Sequence, residues 1–319
     1  MDNDQWILSR RYEHFTALGS RALREFSVVA PKCSLAFGAS GIAYGLSRAA
    51  ELLHDSRLLL AADSWIATAE NRASEAQAFL SSASMTTRRT IGFASLAFVE
   101  PGLLYVKSII RARMRDTSGA DTAARQFVKF AKRRLSRIAD LHLGGLGLAL
   151  AANHLASCAT SNELRTELSN FSRNFIQRAW AKAGADIRRN HRLGFAHGTA
   201  GQVFTSHVCG ERKIAIPVLQ QLRETAIPMQ ETLLFPARAG SHDFCAGWCN
   251  GLAGHLCSGR KSGSTPTPLR IANCWTGSHA ACGNIECVSE ASAAAPQAKR
   301  LRSHCSPPRP ATINRRGKR

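Results

Sequence analysis

The stretch GFAHGTAG, residues 194–201, decides the fold, because a glycine-bounded phrase of this kind returns along the whole chain. The other copies are FGASGIAYGL from Phe37, GFASLAFVEPGLLYV from Gly92, DLHLGGLGLAL from Asp140 and GWCNGLAG from Gly247. Their last glycines recur at intervals of roughly 45 to 60 residues, which is typical of a repeated supersecondary unit. Two helices and their turns fill such an interval.

The segments between the glycine phrases have helical periodicity. Apolar residues recur at three- and four-residue steps, whereas alternating strand patterns are scarce. The tripeptide His54–Asp55–Ser56 interrupts this pattern as a polar break and supplies a natural helix N-cap. The sequence therefore predicts an all-α protein of repeated helical hairpins with glycine-rich loops at one end.

Composition and charge exclude several classes of protein. The net charge is +20, but no finger, aromatic RNA platform or phosphate-binding loop accompanies it, so we expect no nucleic-acid partner. The basic stretch 125–140 has Val128, Ala131, Leu135 and Ile138 at helical spacing, which predicts an amphipathic helix with a solvated basic face. An acidic peptide partner is the alternative. No apolar run is long enough to span a membrane, and the charged N-terminus is unlike a signal peptide, so we expect a cytoplasmic protein.

The phrases FGASGIAYGL, DLHLGGLGLAL, GFAHGTAG and GWCNGLAG, in this order and spacing, resemble those of lanthionine synthetase C-like (LanC-like) proteins. The resemblance covers residues 33–256 and implies an α/α toroid whose inner helices carry the glycine-rich loops. In the cyclases of this family, a zinc ion activates a peptide cysteine thiolate. The thiolate adds to the β-carbon of dehydroalanine or dehydrobutyrine and closes a thioether ring.

The resemblance also implies roles for three residues. Cys249 matches the first zinc ligand, where a thiolate suits zinc. His197 matches the active-site histidine, which would protonate the enolate formed by the addition. Asp140 matches a carboxylate of the second motif, which would orient that histidine or a neighbouring donor. The alternatives are an inert Cys249 thiol, a His197 bonded to a backbone carbonyl, and an Asp140 that serves only as a helix N-cap.

The chain departs from the family at the remaining zinc ligands. In the segment GSHAACGNIECVSEA, Ser278 stands at the position of the second cysteine ligand, and His279 stands at that of the histidine. A serine hydroxyl is a poor zinc ligand, and Cys282 or Cys274 are the possible substitutes. We therefore expect zinc to bind weakly or not at all.

These residues support three hypotheses for function. The first is a protein related to zinc-dependent cyclases that acts on a dehydrated precursor peptide, with dehydration supplied by a separate dehydratase. The second is a catalytically silent peptide-binding scaffold. The third is a glycosidase of the α/α-toroid type, for which Glu100 and Asp140 are the available carboxylates.

The domain organisation follows from where the helical periodicity stops, just after His255. A Pro-, Ser- and Arg-rich composition then predicts disorder towards the C-terminus. We expect an N-terminal helical lead-in at residues 1–32, the toroid domain at 33–256, a degraded final motif region at 257–290 and a disordered basic tail at 291–319.

Overall fold

A computed structural model describes residues 25–26, 28, 30–79, 95–133, 139–183, 192–229, 232–244 and 247–250. This part of the chain contains eight α-helices: α1 Ala39–Leu53, α2 Ser56–Asn71, α3 Glu100–Arg113, α4 Thr117–Arg133, α5 Gly145–Cys158, α6 Asn162–Ala183, α7 Thr199–Val208 and α8 Arg212–Glu224. A short antiparallel hairpin follows, with strands β1 Ile227–Met229 and β2 Thr232–Leu234. All of these elements belong to the first of two units of the chain, Met1–Gly283.

The eight helices form two layers. Each odd-numbered helix packs against the helix that follows it, and α1, α3, α5 and α7 also contact one another in chain order. Helices α5 and α7 are buried around most of their circumference, as expected of an inner layer. The even-numbered helices cover this layer from outside. The predicted all-α fold, an α/α toroid of helical hairpins, is confirmed, and the small hairpin after α8 is a local departure from it.

Local sequence signals set the helix boundaries. Helix α1 ends at His54, whose φ of 53° is left-handed, and α2 begins after Asp55, whose carboxylate accepts a hydrogen bond from the Arg57 N–H at 2.9 Å. In α4, Val128 and Ala131 are buried while the lysines beside them are exposed. Of the four apolar positions predicted for this helix, Leu135 and Ile138 lie outside the described residues.

The recurring glycines allow a tight turn to fold back on each inner helix. Residues 35–38, 96–99, 141–144 and 195–198 form such turns, and a fifth turn contains Trp248. A Cβ atom at the third residue of the following helix would collide with the carbonyl oxygen of the first residue of the turn. This holds at Gly41, Gly102, Gly147 and Gly201. Close backbone approach, and not a positive φ, therefore explains these glycines.

The five turns lie side by side and are joined by hydrogen bonds, and we call this arrangement the turn row. The bonds that link successive turns are Ala36 N–H to Ala97 O (2.8 Å), Ser95 Oγ–H to His142 O (2.7 Å), Leu141 N–H to Ala196 O (3.1 Å) and Ala196 N–H to Cys249 O (3.0 Å). The loops that carry Gly41, Gly147 and Gly201 therefore gather at one end, as predicted. Gly254, the last glycine of this set, lies outside the described residues.

Several sequence-based predictions concern residues that the structure does not describe. These are most of the lead-in at 1–32, the final motif region at 257–290 and the tail at 291–319. Among the described helices, none combines the length and the apolar character needed to cross a bilayer.

Candidate functional site

Three residues predicted from the sequence come together on the last three turns of the turn row. Asp140 directly precedes the third turn, His197 is the third residue of the fourth turn, and Cys249 is the second residue of the fifth. The backbone bond from Ala196 N–H to Cys249 O places the fourth and fifth turns in direct contact. Gly194 permits this contact, because a Cβ there would collide with the Cys249 carbonyl.

Asp140 holds the third turn and His197 at the same time. Its Oδ1 accepts hydrogen bonds from the backbone N–H groups of His142 (2.8 Å) and Leu143 (2.6 Å). Its Oδ2 accepts a hydrogen bond of 2.8 Å from Nδ1 of His197. The N-cap of α5 itself is Gly144, so Asp140 does not cap that helix. With both oxygens bonded, the carboxylate fixes the position of the imidazole relative to the turn.

The surroundings of His197 favour its protonated form. Burial lowers the pKa of the imidazole, but hydrogen bonds to Asp140 and to the Cys249 side chain, together with the charges of both groups, outweigh burial and raise the pKa to about 9. At neutral pH, His197 is therefore an imidazolium that can donate a proton. Its side chain is 15 % exposed, so the ring keeps some contact with solvent.

Aromatic side chains form the wall of this site. The His142 ring lies edge-on to the rings of His197 (5.8 Å between centroids), Trp248 (5.9 Å) and Phe98 (5.0 Å). Trp248 in turn packs against Phe195 at 5.6 Å. His142 is buried, and it is not among the residues predicted from the sequence.

An alignment of the turns would have identified His142. The second positions of the five turns are Ala36, Ala97, His142, Ala196 and Cys249, and the third positions are Phe37, Phe98, Leu143, His197 and Asn250. His142 is therefore the counterpart of Cys249 two turns earlier. Polar and reactive side chains appear at these positions only from the third turn onward, so the candidate site residues gather at one part of the turn row.

The described residues do not by themselves make a zinc site. A catalytic zinc usually needs three protein ligands and an open position. Cys249 lies in the described part, but no group of three His, Cys, Asp or Glu side chains able to hold a metal lies there. His279, Ser278, Cys282 and Cys274 lie outside the described residues. Zinc binding by this chain therefore stays a prediction.

The geometry gives the glycosidase hypothesis no support. Asp140 has both oxygens engaged, one with the turn backbone and one with His197, and a pair of carboxylates flanking a sugar would need an acid free to reach the substrate. Glu100 is the first residue of α3 and precedes Pro101. The paired partner of Asp140 is a histidine and not a second carboxylate.

Comparison with known proteins identifies a family. The family model described as "Lanthionine synthetase C-like protein" matches residues 30–265, about three quarters of the chain. The match spans all five turns and all eight helices of the described part. A search of curated protein sequences found no significant match.

Proposed function

Because the chain belongs to the lanthionine synthetase C-like family, we propose that it acts on a dehydrated peptide, with Asp140, His197 and Cys249 at the reacting centre. Thioether formation is the reaction that this centre suits. The observation that carries the proposal is the 2.8 Å hydrogen bond between Asp140 and His197, beside Cys249 on the adjacent turn.

His197 would serve as the proton donor of this reaction. The sulfur of the peptide cysteine forms a bond to the β-carbon of a dehydroalanine or dehydrobutyrine, and the electrons of the carbon–carbon double bond move into an enolate. The α-carbon then takes a proton from the His197 imidazolium. The peptide thiol loses its proton to solvent before the sulfur attacks, because His197 is already protonated, and solvent returns a proton to the imidazole after it has donated its own. Asp140 keeps the imidazole oriented and stabilises its positive charge throughout.

The sequence around Ser278 supports a reduced cyclase activity. With a hydroxyl in place of a thiolate ligand, a bound zinc ion would activate the peptide thiol less well, while the proton donor on the turn row is retained. We place the protein in the cytoplasm, with the dehydration step carried out by a separate enzyme. A peptide-binding scaffold is the second candidate, and the same serine favours it.

A thiol-protection assay tests the proposal. The full chain is incubated with a peptide that contains one dehydroalanine and one cysteine, and free thiol is then alkylated and measured by mass spectrometry. The matched control peptide has alanine at the dehydroalanine position, and a sample without protein gives the spontaneous rate. We expect thiol loss above the spontaneous rate with the dehydroalanine peptide only.

A second readout separates the two candidate functions. Fluorescence anisotropy of the labelled peptides measures binding without chemistry. Binding with no thiol loss above the spontaneous rate would favour the scaffold. Neither binding nor thiol loss, with zinc added in excess, would contradict the proposed action on peptides.

A further inference from the structure

A second group of polar side chains lies away from the turn row, on the inner helices α1, α3 and α5. Arg48 and His154 each lie seven residues after a phrase glycine, which corresponds to about 10 Å along the helix. We call this group the arginine cluster, and its members are Arg48, Glu51, Tyr105, Arg113 and His154.

Two guanidinium groups in the arginine cluster share one carboxylate. Oε2 of Glu51 accepts a hydrogen bond from Arg48 at 2.5 Å and another from Arg113 at 2.6 Å. The other terminal nitrogen of Arg113 bonds to the Ser47 hydroxyl, which is neutral. Because arginine stays protonated in proteins, the cluster holds two positive charges against one negative charge among the described residues.

Arg48 has hydrogen-bonding capacity left over. Its side chain is only 9 % exposed, and its Nε–H is buried without a hydrogen-bond partner. A buried charged donor with no partner is costly, since it has lost its water and gained nothing in exchange. The Nε and terminal nitrogens of one arginine form the edge that binds an oxyanion through two hydrogen bonds.

The neighbouring histidine adds no further positive charge. Burial, followed by the positive charges of Arg113 and Arg48, lowers the pKa of His154 to about 4, so this ring is neutral at pH 7. Its Nδ1 shares a 2.9 Å hydrogen bond with the Tyr105 hydroxyl. Burial likewise lowers the pKa of Arg113, and Arg48 adds to that effect.

We propose that the arginine cluster is a binding site for a small oxyanion, a phosphate or carboxylate group, held between Arg48 and Arg113. Such a group would balance the second positive charge and accept a hydrogen bond from the Nε–H group of Arg48. Side-chain exposure rises from Arg48 (9 %) to Arg113 (23 %) to Glu51 (35 %), so Glu51 and Arg113 form the side of the cluster that is nearer to solvent. This site is separate from the turn row and does not depend on the proposed reaction.

Two features set the ligand class. Tyr105 and Tyr44 have their rings 6.4 Å apart, and burial raises the pKa of both phenols, so they are neutral donors beside the arginines. The two guanidinium groups supply N–H donors only and carry one positive charge more than Glu51 balances, which matches an acceptor-only anion. Hydrated metal cations and amines would meet two positive charges and are excluded.

Calorimetry on the full chain tests the site directly. Inorganic phosphate and sodium acetate are titrated separately at constant ionic strength into the wild-type protein. Saturable binding of phosphate identifies a phosphate group as the ligand type, and saturable binding of acetate identifies a carboxylate. If neither anion gives saturable heat, the proposal is overturned, and the second charge is balanced from within the chain.

A pair of variants on the inner helices locates the binding. Arg48→Met removes the proposed anion donor, whereas Arg111→Met removes an arginine of α3 that already pairs with Asp63 (3.1 Å) and Asp116 (3.6 Å). The anion that binds should raise the melting temperature of the wild type and of Arg111→Met by several degrees at saturation. It should leave that of Arg48→Met unchanged. An equal rise in all three proteins would show general salt stabilisation and contradict the site.

If Arg48→Met does not fold, Arg48→Lys provides a second test. This variant keeps the charge and loses the two-nitrogen edge, so it should bind the anion at least tenfold more weakly.

Discussion

Two partly buried histidines on this toroid have opposite protonation states, because different charges surround them. On the turn row, Asp140 and Cys249 raise the pKa of His197 to about 9. In the arginine cluster, burial, Arg113 and Arg48 lower the pKa of His154 to about 4. At pH 7, the first ring is charged and the second is neutral.

The difference shows how one repeated hairpin serves two purposes. Each inner helix follows a turn, and the rings of Phe98, His142 and His197, at second or third positions of three successive turns, contact one another in order along the chain. Beyond the turn, side chains of the same helix contact those of the neighbouring inner helices. His197 is a turn residue, whereas His154 lies seven residues beyond a phrase glycine. Position within the repeat therefore decides whether a polar residue belongs to the proposed reacting centre or to the arginine cluster.

The largest expected effect follows from removing the charged histidine. His197→Asn keeps the polarity of the side chain but removes the proton donor, so thiol loss from the dehydroalanine peptide should slow by about 10²–10⁴-fold. The control is His54→Asn, an exposed residue with left-handed backbone that asparagine tolerates. Peptide binding should persist in both variants. A wild-type rate of thiol loss in His197→Asn would show that this residue does not take part in the reaction.

The second prediction concerns zinc and the serine in the ligand position. The unmodified chain should bind zinc weakly or in less than one equivalent, and Ser278→Cys should raise its zinc affinity by adding a thiolate ligand. Competition with a calibrated chelator measures this affinity. The matched control is Ser64→Cys, which makes the same substitution at an exposed position of α2 and should leave zinc affinity unchanged. Tight stoichiometric zinc in the unmodified chain would contradict the prediction and point to Cys274 or Cys282 as the substitute ligand.

A third prediction compares two glycines of α1. At Gly41, a Cβ would collide with the Leu35 carbonyl, whereas the space beside Gly45 is open. Gly41→Ala should therefore lower the free energy of unfolding by about 1–3 kcal/mol. Gly45→Ala should raise it by about 0.4–1 kcal/mol, because alanine has less freedom in the unfolded chain. Urea unfolding followed by circular dichroism measures both, and equal effects would contradict the role given to the phrase glycines.

The fold and part of the site were predictable from the sequence because both rest on local constraints. The glycine of each phrase is required by contact with its own turn, six residues earlier at Gly41, so its spacing is visible in the chain. His197, Asp140 and Cys249 lie within these phrases and were found with them. The arginine cluster was not predictable, because Arg48 and Arg113 lie on different helices and nothing in their local sequence signals the shared Glu51.

A fourth prediction concerns the pH dependence of stability. The folded pKa of His154, about 4, lies below the ordinary value of 6.5, so the unfolded chain binds more protons between these pH values. The contribution of neutral His154 is complete above pH 6.5 and is lost as the pH falls towards 4. The opposite holds for His197, whose contribution is complete below pH 6.5 and is lost as the pH rises through about 9.

The variant His154→Gln tests the acid side of this dependence. It should lose less stability in acid than the wild type, as measured by urea unfolding at pH 4.5 and 7. An identical loss of stability in the wild type and in His154→Gln would contradict the low pKa of His154.

Histidine titration by NMR tests the contrast between the two regions most directly. Ring signals of His197 and His154 are assigned by their loss in His197→Asn and His154→Gln and are followed across the pH range of stability. We expect His197 to stay charged until the pH approaches 9 and His154 to stay neutral down to about pH 4. Titration of both rings near the unperturbed value of about 6.5 would contradict the contrast.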